Sequence, residues 1–144
     1  MTHLEKMHQW LQTFPLWGDQ PLTVDHTDPV PGRCGLYAGG QEEISRHQDV
    51  VGNVRVRNRC TYILKRVTTG QQNSMENAQW LMALQQWLQE QSYLGLAPVF
   101  GDEPAAEQIR GEKGRLQDTR QTGTGVYTVT VTVEFTKIYG NKGE

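Results

Sequence analysis

Three arginines at alternate positions, Arg55, Arg57 and Arg59, form the spacing that most directly suggests chemistry. In a regular β-strand alternate side chains project from one face, so their guanidinium groups would form a stripe able to meet phosphates or an acidic partner. Cross-strand pairing with acidic neighbours explains the same stripe equally well. The formal net charge is only −2, so we expect the stripe to serve a contact with another protein subunit before any contact with DNA.

Patterns typical of catalysis and phosphate binding are missing from the sequence. There is no G-x-S-x-G and no GK[ST], and the glycines at 32, 35, 39 and 40 do not form G-x-G-x-x-G. Acidic residues that fall in predicted loops are interpreted as solvated surface, namely Glu42, Glu43, Asp102, Glu103 and Glu107. The sequence therefore predicts a protein that is not an enzyme and needs no cofactor.

Metal ligation and disulfide formation are also not expected. His3 and His8 are five residues apart on a predicted helix, so their side chains diverge, and His26 and His47 lie in separate segments. Cys34 and Cys60 make no metal-binding spacing, and a cytosolic compartment disfavours a disulfide between them. We interpret both cysteines as packing residues.

Length and composition predict one folded domain spanning residues 1–144. The chain has 144 residues, of which 36% are hydrophobic, and this is an ordinary globular composition. The N-terminal segment lacks the apolar run of a signal peptide, and no stretch approaches the roughly 20 apolar residues of a membrane span. We therefore expect the protein to be made and kept in the cytoplasm, unless it leaves inside a particle, without membrane contact.

Two amphipathic helices are predicted. Residues 3–14 carry apolar side chains at three- and four-residue steps and end at a proline, and the set is Leu4, Met7, Leu11 and Phe14. The stronger helix follows Asn73, a candidate N-cap with Glu76 three residues on, and Gly95 stands just past its end. Its apolar stripe comprises Ala78, Leu81, Leu84 and Leu88, flanked by Trp80 and Trp87.

Period-2 alternation predicts the strands. It is clearest over 54–68 and 126–138, which have one apolar face each. Leu22, Val24 and His26 indicate a short strand, and 108–110 with 115–118 indicate a strand interrupted by Gly111 and Gly114, as at a bulge. Residues 35–50 are mostly polar and predict a weak strand leading into an exposed connection, with 39–53 ordering on contact with a partner.

The order of these elements, a helix, strands, a helix and strands, predicts an α+β fold with a mixed or antiparallel β-sheet and two α-helices packed on one face. Both helices should cover the sheet face that carries Tyr62, Val129, Val131 and Val133. The two long strands have 15 and 13 residues, whereas strands usually have about five or six. They would therefore extend beyond the helix layer. Their ends would then be free to pair with a neighbouring subunit.

The arrangement as a whole resembles a family of short minor capsid and tail-terminator proteins found in prophages of low-GC Gram-positive bacteria. The matching features are the opening helix that ends W-L-Q-T-F-P at 10–15, the strand before Val67, and L-x-x-W-L-x-E-Q-S at 84–92. They continue through Gln108-Ile109, the run G-R-L-Q-D at 114–118, and the closing strand from Tyr127 to Tyr139. The resemblance spans nearly the whole chain and depends on order and spacing more than on one motif.

The resemblance implies a non-enzymatic phage structural protein that assembles with itself into a ring, commonly a hexamer. The ring would cap the tail tube protein and present a joining surface to the head-completion or connector protein, with DNA only passing through its lumen. The expected location is the virion tail. Residues expected at the assembly interface are Arg55, Arg57, Arg59, Gln41, Glu42 and Glu43. A small cytosolic adaptor or regulatory binding module is the alternative function.

Overall fold

The structure, a computed structural model, describes residues 2–15, 22–25, 27, 33–69, 74–112, 115–119 and 124–140. It contains two α-helices, α1 (His3–Leu11) and α2 (Ser74–Tyr93), and a short 3-10 turn at Pro104–Ala106. The strands are β1 (Leu22–Val24), β2 (Cys34–Gln48), β3 (Val54–Thr69), β4 (Gln108–Gly111), β5 (Arg115–Thr119) and β6 (Thr124–Tyr139). None of the helices in these ranges is long and apolar enough to cross a membrane.

Helix α1 begins where a hydroxyl can satisfy its free amides. The Thr2 side chain accepts a hydrogen bond from the Glu5 N–H at 3.1 Å, which is the usual role of an N-cap threonine. The helix ends at Leu11 rather than at residue 14, since Thr13 and Phe14 form tighter turn bonds instead. Phe14 is nevertheless buried as expected, whereas Leu4 is only half-buried.

Helix α2 ends in a Schellman motif. Gly95 has φ of 71°, the Leu96 N–H bonds the Gln91 carbonyl at 2.9 Å, and the Gly95 N–H bonds that of Ser92 at 3.2 Å. Glycine adopts this left-handed conformation without a Cβ clash, so the predicted end of the helix is confirmed. The proposed cap Asn73 lies outside the described residues, as does the Glu76 side chain.

The packed stripe of α2 differs from the predicted one at its first position. Leu81, Leu84 and Leu88 are buried as expected, but Ala78 is exposed. Trp80 is buried in its place, with its ring 5.9 Å from the Phe14 ring and 4.2 Å from the guanidinium carbon of Arg66. The larger side chain covers this part of the core, which leaves the alanine at the surface.

The six strands form one mixed sheet in the order β1-β2-β3-β6-β4, with β5 also paired to β6. Strand β1 is parallel to β2, and the other pairs are antiparallel. Gly111 pairs with Val131, and Arg115 pairs with Thr128. The chain therefore advances four residues from β4 to β5 while β6 advances three. One extra residue between β4 and β5 confirms the predicted interruption, although Gly114 itself is outside the described residues.

The two faces of β3 and β6 have opposite characters. The face below the helices carries the buried set Cys60, Tyr62, Leu64, Val129, Val131, Val133 and Phe135. These side chains join Met7, Leu11 and the leucines of α2 in one hydrophobic cluster, so both helices pack on the same face. The other face carries the arginines. The α+β fold and the face assignment are thus as predicted.

The prediction for residues 35–50 is right about a strand and about exposure but wrong about the length of the strand. They belong to a 15-residue strand that pairs with β3 from Cys34 opposite Arg66 to Gln48 opposite Val54. Register shifts between Ala38 and Gly40 and between Glu43 and Ser45 break the alternation that a sequence pattern would reveal. Main-chain bonds to β3 hold the segment despite its polar side chains, and they remove the reason for expecting it to order only on a partner.

The distal arm, defined as residues 40–59 and 136–139, carries the sheet beyond α1. His3, at the start of α1, lies beside Phe100 and Phe135, while β3 continues from Cys60 for six residues to Val54. In β2 and the following turn every residue from Gly40 to Val51 is exposed except Ile44. Both faces of β2 therefore meet solvent here, which agrees with the expectation that the long strands outrun the helices.

A core substitution tests this packing. Leu84 is fully buried, so Leu84→Ala should lower the free energy of unfolding by about 2–5 kcal/mol through lost contacts and a cavity. Met82→Ala is the matched control, because Met82 lies on the same helix with 67% of its surface exposed. Urea unfolding of the three proteins measures the difference. Equal stabilities for Leu84→Ala and the wild type would contradict the face assignment.

Candidate assembly surface

The arginine stripe lies on the sheet face opposite the helices, where its members contact carboxylates. Arg57 Nη1 donates to Thr136 Oγ1 at 3.1 Å, and its Nε is 3.8 Å from Glu134. Arg59 lies 3.6 Å from the same Glu134 and bonds Glu42 at 3.0 Å. Cross-strand pairing with acidic neighbours, one of the two explanations open from the sequence, is therefore present. Arg55 forms a separate ion pair with Glu103.

The three interface candidates of β2, Gln41, Glu42 and Glu43, do not act together. Glu42 reaches the arginine face, as its bond to Arg59 requires. Gln41, its neighbour on the strand, faces the helices, where its Oε1 accepts from the Cys60 thiol at 3.3 Å. Glu43 pairs locally with Arg46 at 2.8 Å. Glu42 thus contacts Arg59 directly, and Arg59 and Arg57 share Glu134. Gln41 and Glu43 lie apart from this group.

This charged face is close to neutral. Three guanidinium groups meet three carboxylates, those of Glu42, Glu103 and Glu134. Phosphate groups would have to displace these carboxylates, and there is no basic excess to offset that loss. Exposed ion pairs contribute only ~0–1 kcal/mol each to stability, so the network orients side chains more than it stabilises the fold. The geometry favours a protein contact over a nucleic-acid contact.

A Cys–His–Gln group occurs under the start of α1. The Cys60 thiol lies 3.9 Å from His3 Nδ1 and 3.3 Å from Gln41. Burial raises the pKa of the Cys60 thiol, and burial together with the Lys6 and Lys137 charges lowers the pKa of His3. Both shifts favour the neutral forms, whereas a nucleophilic cysteine needs a thiolate. The arrangement is that of a packing contact at the edge of the core, in which only Cys60 is buried.

The cysteines are packing residues, as predicted. Cys34 and Cys60 are both buried, and no disulfide joins them. Burial raises the pKa of the Cys34 thiol, against the opposing effect of Arg66. Within the described ranges no three His, Cys, Asp or Glu side chains are placed to hold a metal ion. His26 is outside those ranges, while His8 bonds the Leu22 carbonyl at 2.7 Å, far from any other histidine.

The interpretation of Glu107 as solvated surface is wrong. Glu107 is buried, and its two carboxylate oxygens accept from the N–H groups of Phe100 and Gly101, both at 2.8 Å. It anchors the loop between α2 and β4, so that Phe100 can stack on His3. The sequence DEPAAE carries no signal for this role, because the amides that Glu107 satisfies are six and seven residues away.

An open groove of about 1020 Å³ runs between α2 and β4. Most of its lining is polar, including Gln85, Gln89, Ser92 and Arg110. Glu107, the buried acid beside it, already has both oxygens engaged by backbone amides. We assign no catalytic group to this groove.

Side chains close the sheet edges next to β6 and β4. The Asp102 N–H donates to the Thr136 carbonyl, and an Asp102 carboxylate oxygen accepts from the Ile138 N–H, both at 2.8 Å. On β4 the Ile109 N–H donates to Ser92 Oγ of α2 at 3.3 Å. These bonds occupy the main-chain groups through which another strand could pair.

The outer edge of β2 is different. Strand β1 pairs only with Cys34–Leu36, so in the described part of the chain Tyr37–Gln48 have a strand partner on one side only. Charged side chains and two bulges mark this edge, and both features limit uncontrolled strand pairing. The edge belongs to the distal arm, which makes the arm the surface most available to another subunit.

Apolar residues at the end of the distal arm were not anticipated from the sequence. Val50 is fully exposed and Val51 is 62% exposed, and Ile138 and Tyr139 of β6 are also exposed close by. Their proximity follows from the register, since Tyr139 pairs with Val54 and Ile138 with Arg55. Exposed apolar clusters of this kind mark interaction sites.

The chain matches no protein-family model, and no curated protein matches it.

The half-buried histidine His3 generates a pH prediction. The pKa of folded His3 lies below the ordinary 6.5, so the folded protein binds fewer protons there than the unfolded chain. Its contribution to stability is therefore complete above pH 6.5 and is lost as the pH falls. His3→Phe keeps a ring against Phe100 and should lose less stability than the wild type between about pH 7 and pH 5. Identical pH profiles in urea unfolding would contradict this assignment.

Proposed function

We propose that this protein is a non-enzymatic subunit of a phage tail, which forms a ring capping the tail tube and provides the head-tail joining surface. The observation that carries the proposal is the distal arm, a three-stranded extension of the sheet whose β2 strand is exposed on both faces. Such an extension adds much surface and few buried side chains, and an assembly subunit needs that surface for its neighbours.

The closed sheet edges support the same function. Asp102 blocks the edge of β6 and Ser92 that of β4, whereas the β2 edge in the arm stays open to pairing. A subunit that must associate in one orientation benefits from having one open edge, because several open edges would allow filaments or aggregates. The bulges and charges of β2 further limit pairing to a partner that fits them.

The chemistry of the described residues supports a binding role. The thiol of Cys60 and the imidazole of His3 are both shifted toward neutral forms, and the polar groove beside α2 presents no activated group. In this proposal the partners are further copies of the chain, the tail tube protein and the head-completion or connector protein. The protein would assemble in the bacterial cytoplasm, reside in the virion tail and meet DNA only in the ring lumen.

A tube-capping experiment tests the function. The purified protein is added to polymerising tube protein encoded in the same gene cluster, and tube ends are viewed by electron microscopy. We expect a ring at one end of each tube and an arrest of growth at that end. Tubes that keep growing without rings would overturn the proposal, and a stable monomer that binds a soluble regulatory protein would favour the adaptor function.

The arginine stripe provides a second test. Changing Arg55, Arg57 and Arg59 to Ser leaves three carboxylates facing one another, so ring formation should weaken while circular dichroism stays that of a folded protein. Arg110→Ser, at an exposed position of β4, is the control. Unchanged rings would contradict an interface role for the stripe. Duplex DNA binding by the wild type alone, with a steep salt dependence, would replace the protein contact with a nucleic-acid contact.

A further inference from the structure

The turn at the end of the distal arm is rigid and apolar. One carboxylate oxygen of Asp49 accepts from the N–H groups of Val51 and Asn53 at 3.0 and 2.9 Å. The main chain adds bonds from Asp49 to Asn53 and from Gly52 to Asp49, and Gly52 has φ of 90°. This network fixes a tight turn that presents Val50 outward with its whole surface exposed.

An apolar side chain at this position contributes nothing to the core. Turns usually carry Gly, Pro, Asn, Asp or Ser for conformational reasons, and this turn already has Asp49, Gly52 and Asn53 in those roles. The valine pair is therefore additional to what the turn requires. A preformed turn with a protruding aliphatic residue loses little conformational entropy on binding, which suits insertion into a cavity.

A shallow, open cavity with apolar lining lies beside α1. It measures about 310 Å³ and is lined by Lys6, Gln9, Trp10, Pro98 and Val99. Its walls are held in place, because Trp10 Nε1 donates to the Leu96 carbonyl at 2.9 Å and Lys6 Nζ donates to that of Val99 at 3.4 Å. The cavity is open to solvent, so it suits a small aliphatic group that packs against Trp10 and Val99 rather than an enclosed ligand.

The turn and the cavity also carry opposite charges. Asp49 places a carboxylate at the base of the turn, and Lys6 places an ammonium group on the cavity rim. Complementary charges at the edge of an apolar contact fix its orientation and suppress wrong partners.

A copy of the chain cannot place its own turn in its own cavity. The cavity lies along α1, which begins beside Cys60, and β3 runs away from that point to the turn. At about 3.3 Å per residue the turn stands roughly 25 Å from Cys60 along the strand. The occupant must come from another molecule, and each copy carries both a turn and a cavity.

We infer that the Val50 turn of one copy inserts into the Trp10–Val99 cavity of a second copy of this chain. The contact joins two different surfaces, so it is head-to-tail and closes into a ring when the rotation between copies permits. This inference rests on the proposed function, for which it supplies the subunit contact.

Cysteine cross-linking tests the contact. Val50→Cys and Val99→Cys proteins are prepared separately, mixed and oxidised. We expect a disulfide-linked dimer in the mixture and none from either protein alone, while the native thiols stay silent because both are buried. Val24→Cys mixed with Val99→Cys is the matched control, since Val24 is an exposed valine of β1. Oligomers without cross-links above this control, or no oligomers at all, would overturn the inference.

A charge substitution separates this inference from the proposed function. Val50→Glu and Val99→Glu should each raise the concentration needed for oligomer formation about tenfold or more, whereas Val24→Glu should not. Oligomers that persist in Val50→Glu while tube capping is lost would assign the turn to the tube and reject the inference, leaving the proposed function intact. Rings that cross-link but do not cap tubes would support the contact and reject the tail function.

Discussion

The pairing of β3 with β6 is the constraint on which the remaining structure depends. The two strands run antiparallel over 16 residues without a register shift, from Val54 opposite Tyr139 to Thr69 opposite Thr124. Strand β2 attaches to the outer side of β3, β4 and β5 attach to β6, and both helices cover the apolar face that the pair creates. A shift of one residue would exchange that face with the charged one, so the core and the arginine network are specified together.

Residues that stabilise the fold and residues available for association lie at opposite ends of the β3–β6 pair. Near the helices its side chains are buried, and Val131, Val133 and Phe135 have no exposed surface. Toward Val54 and Tyr139 the same strands leave the helices, and exposed residues predominate on the neighbouring β2. Exposed positions of the arm can therefore change with little effect on the core, whereas its buried residues Val56, Asn58 and Thr136 cannot.

Much of the fold was predictable because it is encoded locally. Alternation identified β3 and β6 to within two residues at each end, and helical spacing identified both helices together with the glycine that ends α2. Strand β2 was not identified beyond its first residues, because two bulges shift its side-chain period and its stability comes from main-chain bonds to β3. Pattern alone carries no information about such bonds.

The candidate surface was predictable only in part, for a related reason. The Arg55, Arg57 and Arg59 stripe is visible in the sequence, but its partner Glu134 lies 75 residues or more away and becomes adjacent only through the β3–β6 register. The buried role of Glu107 and the edge-closing role of Asp102 likewise depend on distant backbone amides. The exposure of the two valines of the turn could not be predicted from the sequence, since a short V-V pair is equally typical of a buried strand.

The position of β6 in the chain also governs how the protein can fold. Strand β6 is central in the sheet, yet it is the last strand in sequence order, and about 55 residues separate Thr69 from Thr124 in its pairing with β3. Contacts of such long range slow folding, because the loop must close before the contacts offset its entropy. During synthesis β2 and β3 can form a hairpin early, but the face that α1 and α2 cover stays incomplete until β6 arrives. Loss of β6 would thus remove the centre of the sheet rather than trim its edge. The shortened chain would retain two helices and a hairpin that share only part of the core.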